Sequence, residues 1–180
     1  MSDFTRAADS VIDQDDWERM ATHAKMSPQD LKNKILPVLE GMAMPGVAAA
    51  AVTPVAFQLP ATTKVAQCET QRFEISLFRI VGISGAATLC GTGAHDWSME
   101  LKFCLVLAGA EVWCTSYKFD PHNLGVCFNI DIALLNGQIC FKLLVDAKKI
   151  CLNINGKLCI WALGWHCEQF DIIPFCLPIP

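Results

Sequence analysis

The amino-acid sequence predicts a mainly β protein, an antiparallel β-sandwich or up-and-down barrel of about seven to nine strands, behind a short N-terminal helical segment. From Lys64 onward, apolar and polar residues alternate, as they do in strands with one buried face. Short turns that contain glycine separate these segments, and the alternation of strands with crossover helices that α/β folds require is missing. All ten cysteines fall in this region at the spacing of about one per strand, which indicates cross-strand neighbours.

Three regions are expected along the chain. Residues 1–42 form the helical segment, residues 43–63 an alanine- and proline-rich linker or strap, and residues 64–180 the cysteine-rich antiparallel β domain. A chain of 180 residues that is 53% hydrophobic supplies the core of one globular domain with an appendage. Residues 41–63 carry no charge, but their prolines and glycines favour a strap over a membrane-spanning helix.

Capping residues and apolar spacing predict the helices. Asp13 is expected to cap a helix that carries Trp17, and Ser27 is expected to cap a second helix whose first turn contains Pro28. Pro37 should kink this second helix or end its regular part. Its apolar stripe consists of Leu31, Ile35, Leu39 and Met42. We expect the stripe to dock onto the sheet, the alternative being insertion into a membrane or a partner's groove.

The segment from Glu100 to Lys118 predicts the first cysteine-bearing hairpin. A three-residue turn at Ala108-Gly109-Ala110 gathers the apolar residues on one face. The resulting cross-strand pairs are Leu101 with Tyr117, Leu105 with Trp113, Glu100 with Lys118, and Cys104 with Cys114. The register therefore aligns a charge pair and a cysteine pair together.

A second hairpin is expected over residues 126–147, because Asn136-Gly137 is the preferred dipeptide of a two-residue type I′ turn. One face is then wholly apolar and consists of Phe128, Ile130, Ile132, Leu134, Ile139, Phe141, Leu143 and Val145. The other face is mixed: it places Asp131 opposite Lys142 and also carries Cys127 and Cys140.

A third hairpin is expected over residues 149–161, with a three-residue loop at Ile154-Asn155-Gly156. This register pairs Cys151 with Cys159 and Lys149 with Trp161. Opposed residues on antiparallel strands have Cα atoms about 4.5–5.5 Å apart, which a disulfide tolerates. The disulfide candidates are therefore Cys104 with Cys114 and Cys151 with Cys159, and oxidation is favoured over packing as reduced thiols.

The redox state bears on localisation. Residues 1–20 are acidic and contain no apolar run, so a Sec-type signal peptide is not expected. Disulfides usually form outside the cytosol. An extracellular location reached by a leaderless route is therefore favoured over a cytoplasmic one.

The sequence contains few features that indicate a catalytic or nucleic-acid-binding function. A net charge of −4 with scattered basic residues gives no electrostatic footprint for nucleic acid. Glycine-rich nucleotide motifs, nucleophilic serine motifs and closely spaced zinc ligands are missing, so we predict no cofactor, no metal site and no catalytic residues. A histidine-dependent hydrolase or metal enzyme using His95, Asp96 and His122 is the least favoured alternative.

The best functional signal is aromatic. Trp161 and Trp165 are expected on one face of a strand, on the side that also carries Lys149, and these three residues form the predicted ligand-binding set. Indoles on a mixed face stack on sugar rings or sit at a lipid interface, although they also cover sheets beneath helices.

We therefore predict a non-enzymatic cysteine-rich β protein that acts as a binding or self-assembling structural module. The partners to consider are a carbohydrate, a lipid surface or a second copy of the chain. The alternative is a leaderless membrane-active protein that inserts its N-terminal amphipathic helices.

Overall fold

Three helices precede ten strands in the computed structural model, which describes residues 2–43, 55–58, 63–65, 67–78, 80–132 and 134–180. The helices are α1 Asp3–Val11, α2 Gln14–Ala24 and α3 Pro28–Ala43. The strands are β1 Val55–Gln58, β2 Thr63–Val65, β3 Cys68–Ser76, β4 Val81–Gly93, β5 Asp96–Leu107, β6 Ala110–Phe119, β7 Gly125–Ile132, β8 Leu135–Val145, β9 Lys149–Trp161 and β10 Trp165–Pro178.

The strands form two antiparallel sheets. The first sheet has the order β1-β3-β4-β5-β6, with the short β2 also paired to β3, and the second has the order β10-β9-β8-β7. Eight long strands, four in each sheet, lie within the region predicted to be the β domain. The prediction of a mainly β, sandwich-like fold with an N-terminal helical segment is confirmed. Residues 44–54 and 59–62 of the uncharged stretch lie outside the described residues.

Aromatic side chains join the two sheets across the core. Phe103 of the first sheet lies between Phe128 and Phe141 of the second, with ring centroids 5.4 and 4.4 Å away. Near the other side of the sandwich, Phe73 meets Phe175 at 5.9 Å. Burial of each such ring contributes about 1.5–3 kcal/mol. The contact between the sheets is therefore an apolar one.

Two of the three helices, α2 and α3, begin where the sequence predicts, whereas the start of α1 was not predicted. The side chain of Asp13 accepts a hydrogen bond from the backbone N–H of Asp16 at 2.8 Å, and Ser27 Oγ accepts one from the N–H of Asp30 at 3.1 Å. The stripe of Leu31, Ile35, Leu39 and Met42 is buried, and α2 packs beside β6. The last helix does not end at Pro37 but continues to Ala43, and Leu39 and Met42 beyond the proline are buried.

The β5–β6 hairpin has the predicted register. All four predicted pairs, Glu100↔Lys118, Leu101↔Tyr117, Cys104↔Cys114 and Leu105↔Trp113, are present. The turn itself is shorter than expected. Ala108 and Gly109 alone form it, both at positive φ, and Ala110 already pairs with Leu107. A bulge at Val112 absorbs the extra residue, as bulges in antiparallel strands do.

The predicted turn at Asn136-Gly137 is wrong. β7 ends at Ile132 and β8 begins at Leu135, so Asn136-Gly137 runs through β8. A Cβ at position 137 would lie 2.1 Å from the carbonyl oxygen of Lys157, and Gly137 has a φ of +144°. The neighbouring strand β9 therefore requires this glycine, which makes it a marker of close backbone approach rather than of a turn.

The observed register of β7 and β8 changes which residues lie opposite each other, while the apolar set stays on one face of the sheet. Phe128 lies opposite Ile139 instead of Val145, so the shift is six residues, an even number. An even shift leaves a side chain on its predicted face wherever its residue stays in the predicted strand. Leu135 is the exception: predicted on the mixed face, it begins β8 instead and is buried on the inner face. Among the predicted apolar set, Ile130, Leu134, Ile139, Phe141 and Leu143 are buried, Phe128 and Ile132 are partly buried, and Val145 is exposed. Asp131 lies opposite Asn136 rather than Lys142, and Cys127 lies opposite Cys140.

The loop predicted at Ile154-Asn155-Gly156 is also wrong, because residues 149–161 form the single strand β9. A Cβ on Gly156 would lie 2.1 Å from the carbonyl oxygen of Gln138. Cys151 and Cys159 therefore do not pair with each other. Each takes its partner from β10, and Lys149 lies opposite Pro178 rather than Trp161.

Candidate functional site

Every cysteine belongs to a disulfide between directly opposed residues of adjacent strands. The five bonds are Cys68–Cys90, Cys104–Cys114, Cys127–Cys140, Cys151–Cys176 and Cys159–Cys167, with Cα separations of 3.9–4.1 Å. The predicted Cys104–Cys114 bond is confirmed. Because these cysteines alternate with the buried residues of their strands, the bonds lie on the outer faces of the sheets. Five disulfides indicate an oxidising, extracellular-type environment.

The outer face of the second sheet is rich in carboxamides, and we call it the amide face. Its six amide side chains are Asn129, Asn136, Gln138, Asn153, Asn155 and Gln169, which alternate with buried or partly buried residues along β7 to β10. Each amide supplies two N–H donors and one oxygen acceptor. The face therefore presents donors and acceptors side by side across four strands.

Cross-strand registry brings these amides into rows. One row runs through Asn129, Gln138, Lys157 and Gln169, and the next ends in Asn155 and Asp171. Gln138 Nε2 donates to Asn129 Oδ1 at 3.1 Å. Asn155 Nδ2 donates to Asn153 Oδ1 at 2.8 Å, and Asn153 Nδ2 donates to Asp171 Oδ1 at 2.6 Å. These bonds orient the side chains while leaving further lone pairs and N–H groups for a ligand.

A shallow cavity of about 590 Å³ lies at the centre of the amide face. Its lining residues are Gln138, Asn155, Gly156, Lys157, Gln169, Phe170 and Asp171. The two charged members, Lys157 and Asp171, have opposite signs, so the cavity has no strong net charge. Such a surface suits a neutral polar ligand better than an ion.

Two tryptophans stand at one end of the same face. They were predicted on one strand, but a turn at residues 162–164 separates them, and Trp161 lies directly opposite Trp165. Opposed residues point to the same face, so the indoles still share a side. Trp161 is only 9% exposed and packs against Phe4 of α1 with centroids 5.8 Å apart, whereas Trp165 is 50% exposed. The helix covers one indole and leaves the other open to solvent.

The predicted third member of the site, Lys149, is far from the tryptophans. It lies at the opposite end of β9 from Trp161, about 40 Å away at the rise of a strand. Its backbone N–H belongs to a turn in which Asp146 Oδ1 accepts hydrogen bonds from Lys148 and Lys149 at 2.8 and 2.9 Å. These bonds lower the pKa of the Asp146 carboxyl below its ordinary value.

The histidines considered for catalysis lie in exposed turns. The carboxylate of Asp96 accepts a hydrogen bond from Thr92 Oγ1 at 2.6 Å, and the backbone N–H of His122 donates to Asp120 Oδ1 at 2.8 Å. Both contacts stabilise the turns themselves.

One cluster has metal-ligand spacing in the part of the chain that the structure describes: Cys104, Glu111 and Cys114. Metal binding by cysteine uses the thiolate, whereas these two sulfurs are bonded to each other. The cluster is therefore a disulfide with a neighbouring carboxylate.

The amide set was missed at the sequence level, although its signal was present. Asn153 and Asn155 alternate with Leu152 and Ile154, which is the pattern of a strand with one polar face. Assigning Asn155 to a loop hid this pattern. The same error at Asn136-Gly137 hid the continuation of the face into β8.

In comparisons with known proteins, no protein-family model, no curated protein and no solved structure matches this chain. None of the helices among the described residues combines the length and apolar character needed to cross a bilayer.

Proposed function

We propose that this protein is a non-enzymatic, extracellular binding module whose amide face takes a neutral carbohydrate. The observation that carries the proposal is the combination, on one sheet face, of six carboxamides with the half-exposed indole of Trp165. Sugar hydroxyls both donate and accept hydrogen bonds, which amide side chains match. The C–H faces of sugar rings are apolar, which an indole matches.

The scaffold favours such a ligand because it is held rigid. Disulfides Cys127–Cys140, Cys151–Cys176 and Cys159–Cys167 lie on the amide face and join β7 to β8 and β9 to β10. Side chains fixed before binding lose less conformational entropy when a ligand arrives. Weak individual hydrogen bonds to hydroxyls then add up to useful affinity.

The experiment is a binding assay with insoluble polysaccharides, namely cellulose, chitin and a β-1,3-glucan, under non-reducing conditions. We expect the intact chain to be retained by at least one of them, and Trp165→Ala or Gln138→Ala to lower retention. Ser116→Ala, an exposed polar site on the first sheet, is the control and should bind like the native protein. Failure of all three polysaccharides to retain the protein would contradict the proposal.

Self-assembly is the second candidate. Leu144, Val145 and Ile173 are exposed apolar residues toward the end of the second sheet that is remote from the tryptophans. Exposed apolar patches mark interfaces. Sedimentation velocity over a range of concentrations tests this: Leu144→Ser should weaken any dimer, and a protein that stays monomeric at its highest soluble concentration would rule the candidate out.

The membrane-active alternative requires the helices to leave the sandwich. Their apolar residues Trp17, Leu31, Ile35 and Leu39 are completely buried. Exposing this surface would cost about 1.5–3 kcal/mol for each large side chain. The packing of the helices therefore favours a binding module over an inserting one.

A further inference from the structure

We infer that the ligand is an extended oligosaccharide segment lying along β10, rather than a single sugar unit, an inference that rests on the proposed function. The outer side of β10 presents Trp165, Cys167, Gln169 and Asp171 at alternate positions. We call these four residues the β10 row. All four residues are exposed. The cavity at the centre of the amide face lies at the end of the β10 row that carries Gln169 and Asp171.

The spacing within the β10 row separates two kinds of contact. Trp165 and Gln169 are four residues apart, or about 13 Å at the rise of a strand. Asp171 is about 20 Å from Trp165 by the same measure. A single pyranose ring is too small to stack on the indole and reach the amides of the cavity at once. A chain of several linked sugars spans both.

The stretch between the two contacts is compatible with a ligand passing over it. Cys167 occupies it, bonded to Cys159, and a disulfide offers only weak hydrogen-bonding groups. It also adds no long side chain that would obstruct the path. The bond fixes β9 to β10 between the indole and the cavity, so the separation of the two contacts is rigid.

Neither end of the β10 row is closed. At one end, the turn at residues 162–164 carries Leu163, which is 57% exposed and has a φ of +57°. At the other end, a bulge between Ile172 and Phe175 takes the strand out of regular pairing and leaves Ile173 half exposed. Among the described strands, β10 is hydrogen-bonded to β9 alone and so forms the edge of its sheet, although β1 and β3 of the first sheet approach it. This geometry suits an internal segment of a linear polymer rather than a chain end.

The test is a titration of the full disulfide-bonded chain with oligosaccharides of rising length. The probes are β-1,4-linked glucose and N-acetylglucosamine oligomers and β-1,3-linked glucose oligomers, from one unit to about six. For the type that binds, we expect affinity to rise by about tenfold or more between one unit and the longest oligomer. The NMR signals of the Trp165 indole N–H and the Gln169 amide should both shift only with longer oligomers.

Variants separate the two contacts. Trp165→Ala should abolish most of the length-dependent gain, whereas Trp165→Phe should keep much of it because a ring remains. Gln169→Ala should lower affinity for long oligomers while leaving the shift of the indole signal. Val11→Ala, an exposed apolar residue of α1, is the matched control and should titrate like the native protein.

The outcomes are distinct for the two proposals. Binding of a polymer together with equal affinity for its monosaccharide would overturn the extended-segment inference and leave the carbohydrate proposal standing. Absence of binding to every oligomer and polysaccharide would overturn both. A length-dependent gain that persists unchanged in Trp165→Ala would place the ligand elsewhere and overturn the inference alone.

Discussion

The two sheets share one construction and differ in what their outer faces offer. In both, disulfides join neighbouring strands on the outside while the inner faces supply the apolar core. The outer face of the first sheet carries charged side chains such as Arg72, Glu74 and Lys102 and hydroxyl side chains such as Ser116. The second carries the amides, and five of the six large hydrophobic residues exposed among the described residues lie on its strands or turns. Disulfide cross-linking is thus common to both sheets, while the proposed recognition surface belongs to one.

The disulfides are unevenly distributed as well. The first sheet has one bond in each of its two long hairpins, whereas β9 and β10 of the second share two bonds. All five bonds join strands of the same sheet. No disulfide therefore joins one sheet to the other, and the edge strand that carries the proposed site is, together with β9, the most cross-linked.

The largest effect should come from breaking the contact between the sheets. Phe103→Ala removes a buried ring that touches two rings of the opposite sheet, and we expect a loss of about 3–5 kcal/mol in the free energy of unfolding. Denaturant unfolding under non-reducing conditions measures it. A loss below about 1 kcal/mol would mean that covalent links, rather than the aromatic core, dominate stability.

The next largest effect is expected at a glycine of the second sheet. Gly156→Ala would place a Cβ about 2.1 Å from the backbone oxygen of Gln138 at a φ that alanine rarely adopts, so we expect a loss of about 2 kcal/mol or more. Gly93→Ala is the control, because nothing lies within 4 Å of its added Cβ. Thermal unfolding of both variants should show a clear drop only for Gly156→Ala; equal melting temperatures would contradict the close approach of β8 and β9.

A matched pair of disulfide deletions, one in each sheet, tests whether the two sheets differ in ligand binding. Removing Cys159–Cys167 or Cys104–Cys114 by paired Cys→Ser substitutions opens loops of 8 and 10 residues, so each should cost a similar amount, about 2–3 kcal/mol. Only the first deletion should also weaken retention by the polysaccharide, because it loosens the β10 row. Equal loss of retention in both variants would indicate global destabilisation instead.

The smallest effect concerns the turn between β8 and β9. The pKa of Asp146 is lowered in the folded state, so its stabilising contribution is present above the pKa of the unfolded chain and is lost as the pH falls through the folded pKa. The protection of the Lys148 and Lys149 backbone N–H groups, measured as their exchange rate relative to the intrinsic rate at the same pH, should therefore fall at acidic pH, and Asp146→Ala should remove this dependence. Asp96→Ala, in a turn of the first sheet, should leave it unchanged.

The accuracy with which the sequence predicts strand register differs between the hairpins. In β5–β6, a charge pair, a cysteine pair and the apolar residues all select the same register, and the structure has it. In β7–β8, the Asn136-Gly137 dipeptide predicts a register that differs from the observed one, in which Cys127 faces Cys140. The dipeptide is a strong local turn signal, but the contact that decides its conformation comes from Lys157 on another strand.

In the candidate site, too, some features follow from the sequence and others depend on contacts between distant segments. Trp161 and Trp165 were placed on one face correctly, although for a different strand arrangement, and only the packing of Phe4 decided which of them stays exposed. Lys149 shares their face but not their neighbourhood. The cavity around Gln138 and Gln169 depends on three strands meeting in register, so no single segment of sequence contains it.

The sequence by itself therefore determined the strand-rich fold and the starts of α2 and α3. It also determined the face of each side chain in the correctly predicted strands, because a period of two is a property of each strand alone. The tertiary structure decided which strand each cysteine meets and whether an Asn-Gly pair turns or continues. Registers that differ by an even number of residues leave the faces unchanged, so burial within one hairpin cannot choose between them. The register is decided by the next strand in the sheet, because its backbone either leaves room for a side chain at a given position or requires glycine there.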